Sequence, residues 1–376
     1  MSGKSTVLAI LIASVVLALH QPCRAVDVRA IETVRNKGVL DNRDLQIIDE
    51  FLAEAVRELV EAEDFSSMSK VRSVIVSRKS TKSSAREQYE EQFSTFARKH
   101  ISTGLQQAAQ FAPQQRRLVV LANLLLLIDG LGDAQLVDLA LSWVADENMV
   151  IRYMAVRAVT NADVVQQLNA TKADTLKLAQ NIVQRLGALV GQSSPEVLGL
   201  IAQFAADVSV PEGEELLGLI ADMRSGRYRN WTVKYELLDA TILKLLHGKL
   251  SSAGSNQAAL GRRFCQLYSC VIQRYVKGKD FLNEAQKQQL AAVLAEVENA
   301  CIANLLGTPQ GTIKRAVERE DMMGLLQEHD RLLGDNARAG ELPRKLGFDY
   351  GTNPDGGKRT APLEVPAPPR RPEGTE

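Results

Sequence analysis

The sequence predicts an all-α protein: an irregular α-solenoid of antiparallel helix pairs, with an irregular helical bundle as the alternative packing. Three observations predict it. Apolar residues recur at three- and four-residue spacing through most of the 376 residues. Aromatic residues make up only 5% while apolar residues make up 45%, so the core must be built from Leu, Val, Ile and Ala, which suits helix packing better than a sheet sandwich. Between residues 26 and 342 the only prolines are Pro113, Pro195, Pro211 and Pro309. Each stands before or at the start of an apolar-periodic run, where a missing N–H does little harm.

The elements follow in order. Leu45, Ile48, Leu52, Ala55, Val56 and Leu59 form one face of a helix starting near Asn42. Val71 to Ser77 is the one stretch that hints at a strand, being rich in β-branched residues. Tyr89, Phe93, Phe96, Ile101 and Leu105 define a longer helix. Leu118 to Ile128 is apolar apart from Asn123, so it is buried on most sides, and Gly130 and Gly132 can end it. Helical spacing then repeats around Leu136 to Val144, Val150 to Ala158, Leu178 to Leu189, Val197 to Ala205, Leu216 to Met223 and Leu238 to Leu245. It continues around Phe264 to Tyr275, Leu290 to Cys301 and Ile313 to Leu326. Short Gly, Asp, Ser and Pro turns separate these runs.

The first 25 residues read as a secretory signal peptide. Lys4 gives the positive start, Val7 to Leu19 the uncharged apolar stretch, and Cys23 and Ala25 the small residues before a cleavage after Ala25. The mature protein is therefore expected in the periplasm or secreted. A leader retained as an anchor stays open, although the stretch is short of the ~20 residues a span needs. No other segment reads as a membrane span. Gly3-Lys4-Ser5-Thr6 imitates the end of a phosphate-binding loop but lacks the upstream glycine and a preceding strand. The remaining chain divides into an N-terminal helical segment (26–65), a basic Ser-rich linker (66–86), a helical repeat-like domain (87–334) and a disordered Pro/Gly-rich tail (335–376).

Around Asp146 the chain resembles a HEAT-type repeat. The turn residues Asp146 and Asn148, the pair Ile151-Arg152, the small residues Ala155 and Ala158, and Val159 stand where that pattern has them. Elsewhere the spacing drifts. The resemblance implies a solenoid fold and a scaffolding style of action, and it implies no activity.

Export permits a disulfide. An antiparallel hairpin turning near Gly278 to Asn283 would bring Cys265 towards Cys301; the alternative is that Cys265, Cys270 and Cys301 are small buried hydrophobes. The histidines His20, His100, His247 and His329 are scattered, and no nucleophile, metal or phosphate motif is legible. No enzyme activity, cofactor or metal is expected. The 45 basic and 45 acidic side chains balance, which disfavours a nucleic-acid binder.

Two segments are candidate sites. Arg224, Arg227, Tyr228, Arg229, Trp231, Lys234 and Tyr235 interleave cations with aromatics in what reads as an inter-helix turn, and these residue types are enriched where proteins bind proteins. Lys70, Arg72, Arg78, Lys79, Lys82 and Arg86 lie in an acid-free, Ser-rich stretch that could hold an anion. The functional expectation is an exported, non-enzymatic scaffold binding a protein partner. The alternative is a module for an anionic envelope polymer or membrane surface, acting through residues 66–86.

Overall fold

The structure is a computed structural model that describes residues 28–170, 173–252, 256–353 and 356–369. The signal peptide reading, with Cys23 and the cleavage after Ala25, lies outside the described residues. The described chain is helical, with two isolated β-bridges, Gly334 to Ala339 and Thr352 to Lys358. It forms two compact units that divide between Leu139 and Ala140. The expected 87–334 body is therefore corrected: its first two helices belong with the N-terminal unit.

In the first unit, α1 spans Val28–Arg35, α2 Asn42–Glu61, α3 Phe65–Val76, α4 Arg86–Ala109 and α5 Gln114–Leu131. Asp41 starts α2 through a capping box, accepting from Asp44 N while the Asp44 side chain accepts from Asp41 N. Helix α2 packs on α1, α3, α4 and α5, and α3 and α4 also pack on α5. Ile48, Leu52, Leu59, Tyr89, Phe93, Ile101, Leu124 and Leu127 are fully enclosed. Gly104 of α4 permits the close crossing, since a Cβ there would stand 3.1 Å from Val56 Cγ1.

The strand hint at Val71 to Ser77 and the linker reading of residues 66–86 are both corrected by α3. Met68, Val71 and Ile75, three and four residues apart, are buried against the unit, so tertiary packing overrides the strand preference of a β-branched run. Asp64 supplies the start, accepting from Ser67 N at 2.9 Å.

In the second unit, α7 is Met149–Val159, after a short α6, Val137–Leu141, that carries the unit boundary. Then come α8 (Ala162–Leu168), α9 (Ala173–Gly187), α10 (Pro195–Asp207), α11 (Pro211–Arg229), α12 (Leu237–Leu250) and α13 (Gln257–Lys277). After them come α14 (Glu284–Val297), a π-turn (Glu298–Ile302), α15 (Ala303–Leu306), α16 (Thr312–Glu318), α17 (Met322–Leu333) and α18 (Glu341–Leu346). From α9 to α14, the strongest contacts link each helix to its next or next-but-one neighbour, as in a helical array. The HEAT-like stretch forms α7, where the Asn148 side chain accepts from Val150 N at 2.9 Å and Ile151, Ala155, Ala158 and Val159 are buried.

Two further expectations are corrected here. The run from Glu284 to Leu306 is long and apolar enough to cross a membrane by length and composition alone. Its buried residues Leu290, Val293, Leu294 and Val297 pack on neighbouring helices of the unit. The tail expected to be disordered holds α18, a buried Tyr350 whose hydroxyl donates to Leu333 O at 2.9 Å, and a fully buried Val365. Proline and glycine keep this stretch out of long helices, but its backbone finds partners in side chains of α13.

Candidate functional site

Helix α11 runs to Arg229, so Arg224 to Arg229 are helical, and only Asn230 to Tyr235 make the turn into α12. Arg224 and Tyr228, expected on a binding edge, are instead buried. Both point at Asp239, the third residue of α12. Arg224 Nε and Nη2 donate to its two carboxylate oxygens at 2.7 Å each, and the Tyr228 hydroxyl donates to Oδ2. Burial opposes the charge on Arg224, yet the hydrogen bonds and charge of Asp239 outweigh it and hold the guanidinium above its ordinary pKa. Burial, with the Asp239 carboxylate, pushes the Tyr228 hydroxyl well up. The same guanidinium closes the turn, donating from Nη1 to Lys234 O at 3.0 Å and from Nη2 to Tyr235 O at 3.4 Å. That grip matters because Trp231 and Tyr235 both adopt left-handed backbone, with φ of +57° and +58°, which aromatic residues rarely do.

Of the remaining turn residues, Arg227 Nη2 donates to Gly191 O at 2.9 Å, and Arg229, Lys234 and Tyr235 are exposed. Trp231 is half-buried, and its neighbours were invisible in the sequence. Its ring meets Phe281 edge-on at 5.2 Å, and the Arg274 guanidinium lies 5.1 Å from its centroid. Arg274 is itself buried, 3.1 Å from Glu236 Oε1. Its Nε and Nη1 find no hydrogen-bond acceptor, and the faces of Tyr228 and Trp231 take that place. The indole Nε1 donates to Pro366 O at 3.0 Å.

That last bond opens the site. Residues 361–367 lie across α13 as an extended segment and are read by a stripe of polar side chains. Gln266 Nε2 donates to Leu363 O at 3.1 Å, and Leu363 N donates to Gln266 Oε1 at 2.8 Å. Gln273 Nε2 donates to the same carbonyl at 3.3 Å, and Val365 N donates to Gln273 Oε1 at 2.7 Å. Lys277 Nζ donates to Val365 O at 2.6 Å. Leu363 and Val365 therefore have both main-chain groups satisfied, as they would be beside a sheet edge. Val365 and Pro362 are buried, and Glu364 projects outward. Sequence reasoning missed Gln266 and Gln273. The available signal was two glutamines seven residues apart, two helical turns and so on one face, within the mostly apolar run Phe264 to Tyr275.

Beneath the stripe, Ser269 Oγ receives Gln273 Nε2 at 2.8 Å and lies 2.8 Å from His329 Nε2, while His329 Nδ1 lies 2.8 Å from Asp330 Oδ1. The order is that of nucleophile, base and carboxylate. The setting does not support the chemistry. Ser269 is fully enclosed, and it stands in mid-helix, where backbone N–H groups are committed to the helix and provide no oxyanion donors.

The anion-binding candidates are dispersed. Arg78 donates from Nη1 to Val74 O at 3.0 Å and approaches Glu32 at 3.3 Å. Lys79 donates to the carbonyls of Leu131 and Gly132 at the end of α5. Arg72 lies over the Phe65 ring, Arg86 pairs with Glu90 at 2.9 Å, and Lys70 and Lys82 are exposed. The Cys265–Cys301 disulfide is corrected too: Cys265, Cys270 and Cys301 are free, buried thiols. Cys265 faces Tyr350 of the C-terminal segment, whereas Cys301 sits in the π-turn near Lys244 of α12. Among the described residues no group of three His, Cys, Asp or Glu side chains could hold a metal ion.

No family profile and no curated protein matches the chain. Among solved structures it is similar to an engineered protein at 13% identity, covering 85% of this chain and 81% of that one with a TM-score of 0.29. It is similar to Kap121p bound to Nup53p at 14% identity, with 80% of this chain on 33% of that one and a TM-score of 0.37. A designed armadillo repeat protein aligns at 14% identity over 73% of this chain and 99% of that one, with a TM-score of 0.27. All three likenesses are low in both identity and score.

Proposed function

We propose that this chain is a non-catalytic helical scaffold that acts outside the cytosol by holding another polypeptide. The observation that carries the reading is the stripe on α13, where Gln266, Gln273 and Lys277 grip an extended main chain. A surface that already holds one extended segment through its backbone has the chemistry to hold others. The magnitudes fit exchange. Six neutral or singly charged hydrogen bonds contribute about 1 kcal/mol each. Ordering the four residues from Leu363 to Pro366 that they hold costs about 1–2 kcal/mol each. The two are of the same size, so occupancy of the stripe is marginal and depends on burial of Val365 and on the tether.

Export rests on the leader-like composition of residues 1–25 and is tested by the N-terminal sequence and mass of the exported product. An intact leader on a cytosolic product would remove it. The anionic-polymer reading draws less support, because Arg78 and Lys79 are engaged with carbonyls and carboxylates of their own unit. Panning a random peptide library against the whole chain and its Leu363→Pro form tests the scaffold reading. It expects saturable, sequence-convergent ligands that persist at high salt. Enrichment on neither form, or only of acidic peptides lost in salt, overturns it.

A further inference from the structure

The geometry on α13 specifies its ligand more closely than a general scaffold does. We propose that the stripe formed by Gln266, Gln273, Lys277 and Trp231 is a binding site for an extended, proline-bearing segment of a partner protein. Residues 361–367 occupy it in cis as a resident competitor. The inference rests on the scaffold reading and adds to it the ligand class and a built-in competition.

The ligand class follows from register. In an extended chain, the N–H and C=O of one residue point to the same side, and those of the next residue point to the other. Leu363 and Val365 direct both groups at α13, each N–H reaching a glutamine Oε1. Positions 362, 364 and 366 direct their amide nitrogens away. Two of those three are already proline, Pro362 and Pro366, which have no N–H to lose. Prolines at these positions also pre-extend the chain and lower the cost of ordering it. The site therefore takes an alternation: a residue with a free N–H and an apolar side chain at the two gripped positions, and proline or a solvent-facing residue between and around them. The buried Val365 sets the apolar demand, and the exposed Glu364 meets the stripe only through a solvent-facing ion pair with Lys277 at 3.7 Å, so the intervening position is read weakly.

The occupant is held by its own chain, which makes it a competitor. A short tether keeps the segment at an effective concentration in the millimolar range. An incoming peptide must displace it, so its apparent affinity falls by the fraction of chains whose stripe is open. Trp231, which donates to Pro366 O and touches Arg274, marks the end of the stripe.

The test uses the full chain and a labelled synthetic peptide with the sequence of residues 359–369, followed by fluorescence anisotropy. The full chain carrying Leu363→Pro and Val365→Pro, which removes both gripped N–H groups, is expected to bind the peptide at least tenfold more tightly than the unaltered chain. A peptide with proline in place of Glu364, which loses only the exposed ion pair with Lys277, is expected to bind within about fivefold of the parent peptide, and peptides with proline at position 363 or 365 to lose tenfold or more. Adding Gln273→Ala to the released chain is expected to abolish binding with no change in helical circular dichroism. In the unaltered protein, hydrogen exchange at the Leu363 and Val365 amides is expected to be slower than at Glu364. The proposal is overturned by a folded, released chain that ignores the peptide, by equal binding of all proline-substituted peptides, or by equal affinity of released and unaltered chains. Light scattering that shows the unaltered chain dimerising as concentration rises would assign the site to a second copy and overturn the partner. Library ligands that bind regardless of Gln273 would leave the scaffold reading standing while this inference falls.

Discussion

Arg224 and Asp239 meet inside the second unit through two hydrogen bonds of 2.7 Å, with both side chains closed to solvent. Replacing Asp239 with Ala strands a buried guanidinium and leaves the Tyr228 hydroxyl without its acceptor. Breaking one side of a buried pair costs about 3–5 kcal/mol. The expected outcome is a large fall in the urea midpoint of Asp239→Ala, and a smaller fall for Asp239→Asn, which keeps one acceptor. Arg224→Lys should also destabilise, because an ammonium cannot span both the carboxylate and the carbonyls of Lys234 and Tyr235. An unchanged midpoint in all three variants would refute the arrangement.

The three buried thiols should resist modification. Burial pushes the Cys270 thiol up to about 11 and Cys301 up to about 12, and raises Cys265 as well. Thiolate is the reactive form. Titration with an aromatic disulfide reagent at pH 8 is expected to leave Cys265, Cys270 and Cys301 unmodified in the folded chain and to label them once urea unfolds it. Mass spectrometry without reductant should find no link between Cys265 and Cys301.

Acid should weaken the first unit through Asp49. Burial works against its ionised form, but hydrogen bonds from Lys99 at 2.9 Å and from His100 at 2.6 Å outweigh this and hold its pKa below the ordinary carboxylate value. A carboxylate depressed on folding adds stability that is complete above its unfolded pKa, about 4, and is lost as pH falls through the folded value. Melting temperature should therefore fall between about pH 5 and pH 3, and Asp49→Asn should flatten that slope. Parallel slopes for the two proteins would count against the contact.

Within residues 66–86 the basic side chains should separate into two groups. Arg78→Ala and Lys79→Ala remove donors to partly buried carbonyls, at about 1–3 kcal/mol each. Lys70→Ala and Lys82→Ala touch exposed positions and should stay within about 0.5 kcal/mol of the parent. Chemical denaturation of the four variants reads this directly, and equal effects would contradict the contacts.

Trp231 reports on the stripe. Val365→Pro is expected to shift its emission to longer wavelength and to raise its quenching by iodide, measured with Trp143→Phe to remove the other indole. Unaltered emission would mean that the segment remains seated.

Helical spacing made the architecture legible from residues alone, because apolar positions three and four apart must be buried together whatever they face. Met68, Val71 and Ile75 show the limit. Their β-branched neighbours favour a strand locally, and only the surfaces of α2 and α5 decide for a helix. In the basic-aromatic segment, Arg224 and Tyr228 turn inward while Arg229, Lys234 and Tyr235 stay at the surface. Nothing in the local sequence of Arg224 reveals Asp239, which comes fifteen residues later from another helix. The site on α13 was harder still. Its ligand is a main chain 88 to 97 residues away, and main-chain groups leave no trace in residue identity. Composition marked residues 335–376 as poor in helix, and it could not show that glutamine side chains would supply the missing bonds.

The grip on Leu363 and Val365 falls on atoms common to almost every amino acid. Mutation can therefore rewrite many letters of such a segment while its fit survives, provided that the gripped phases stay apolar and no imino acid slips into them. Kinship between this chain and its ligands would then survive as a rhythm of prolines, long after any shared spelling has eroded.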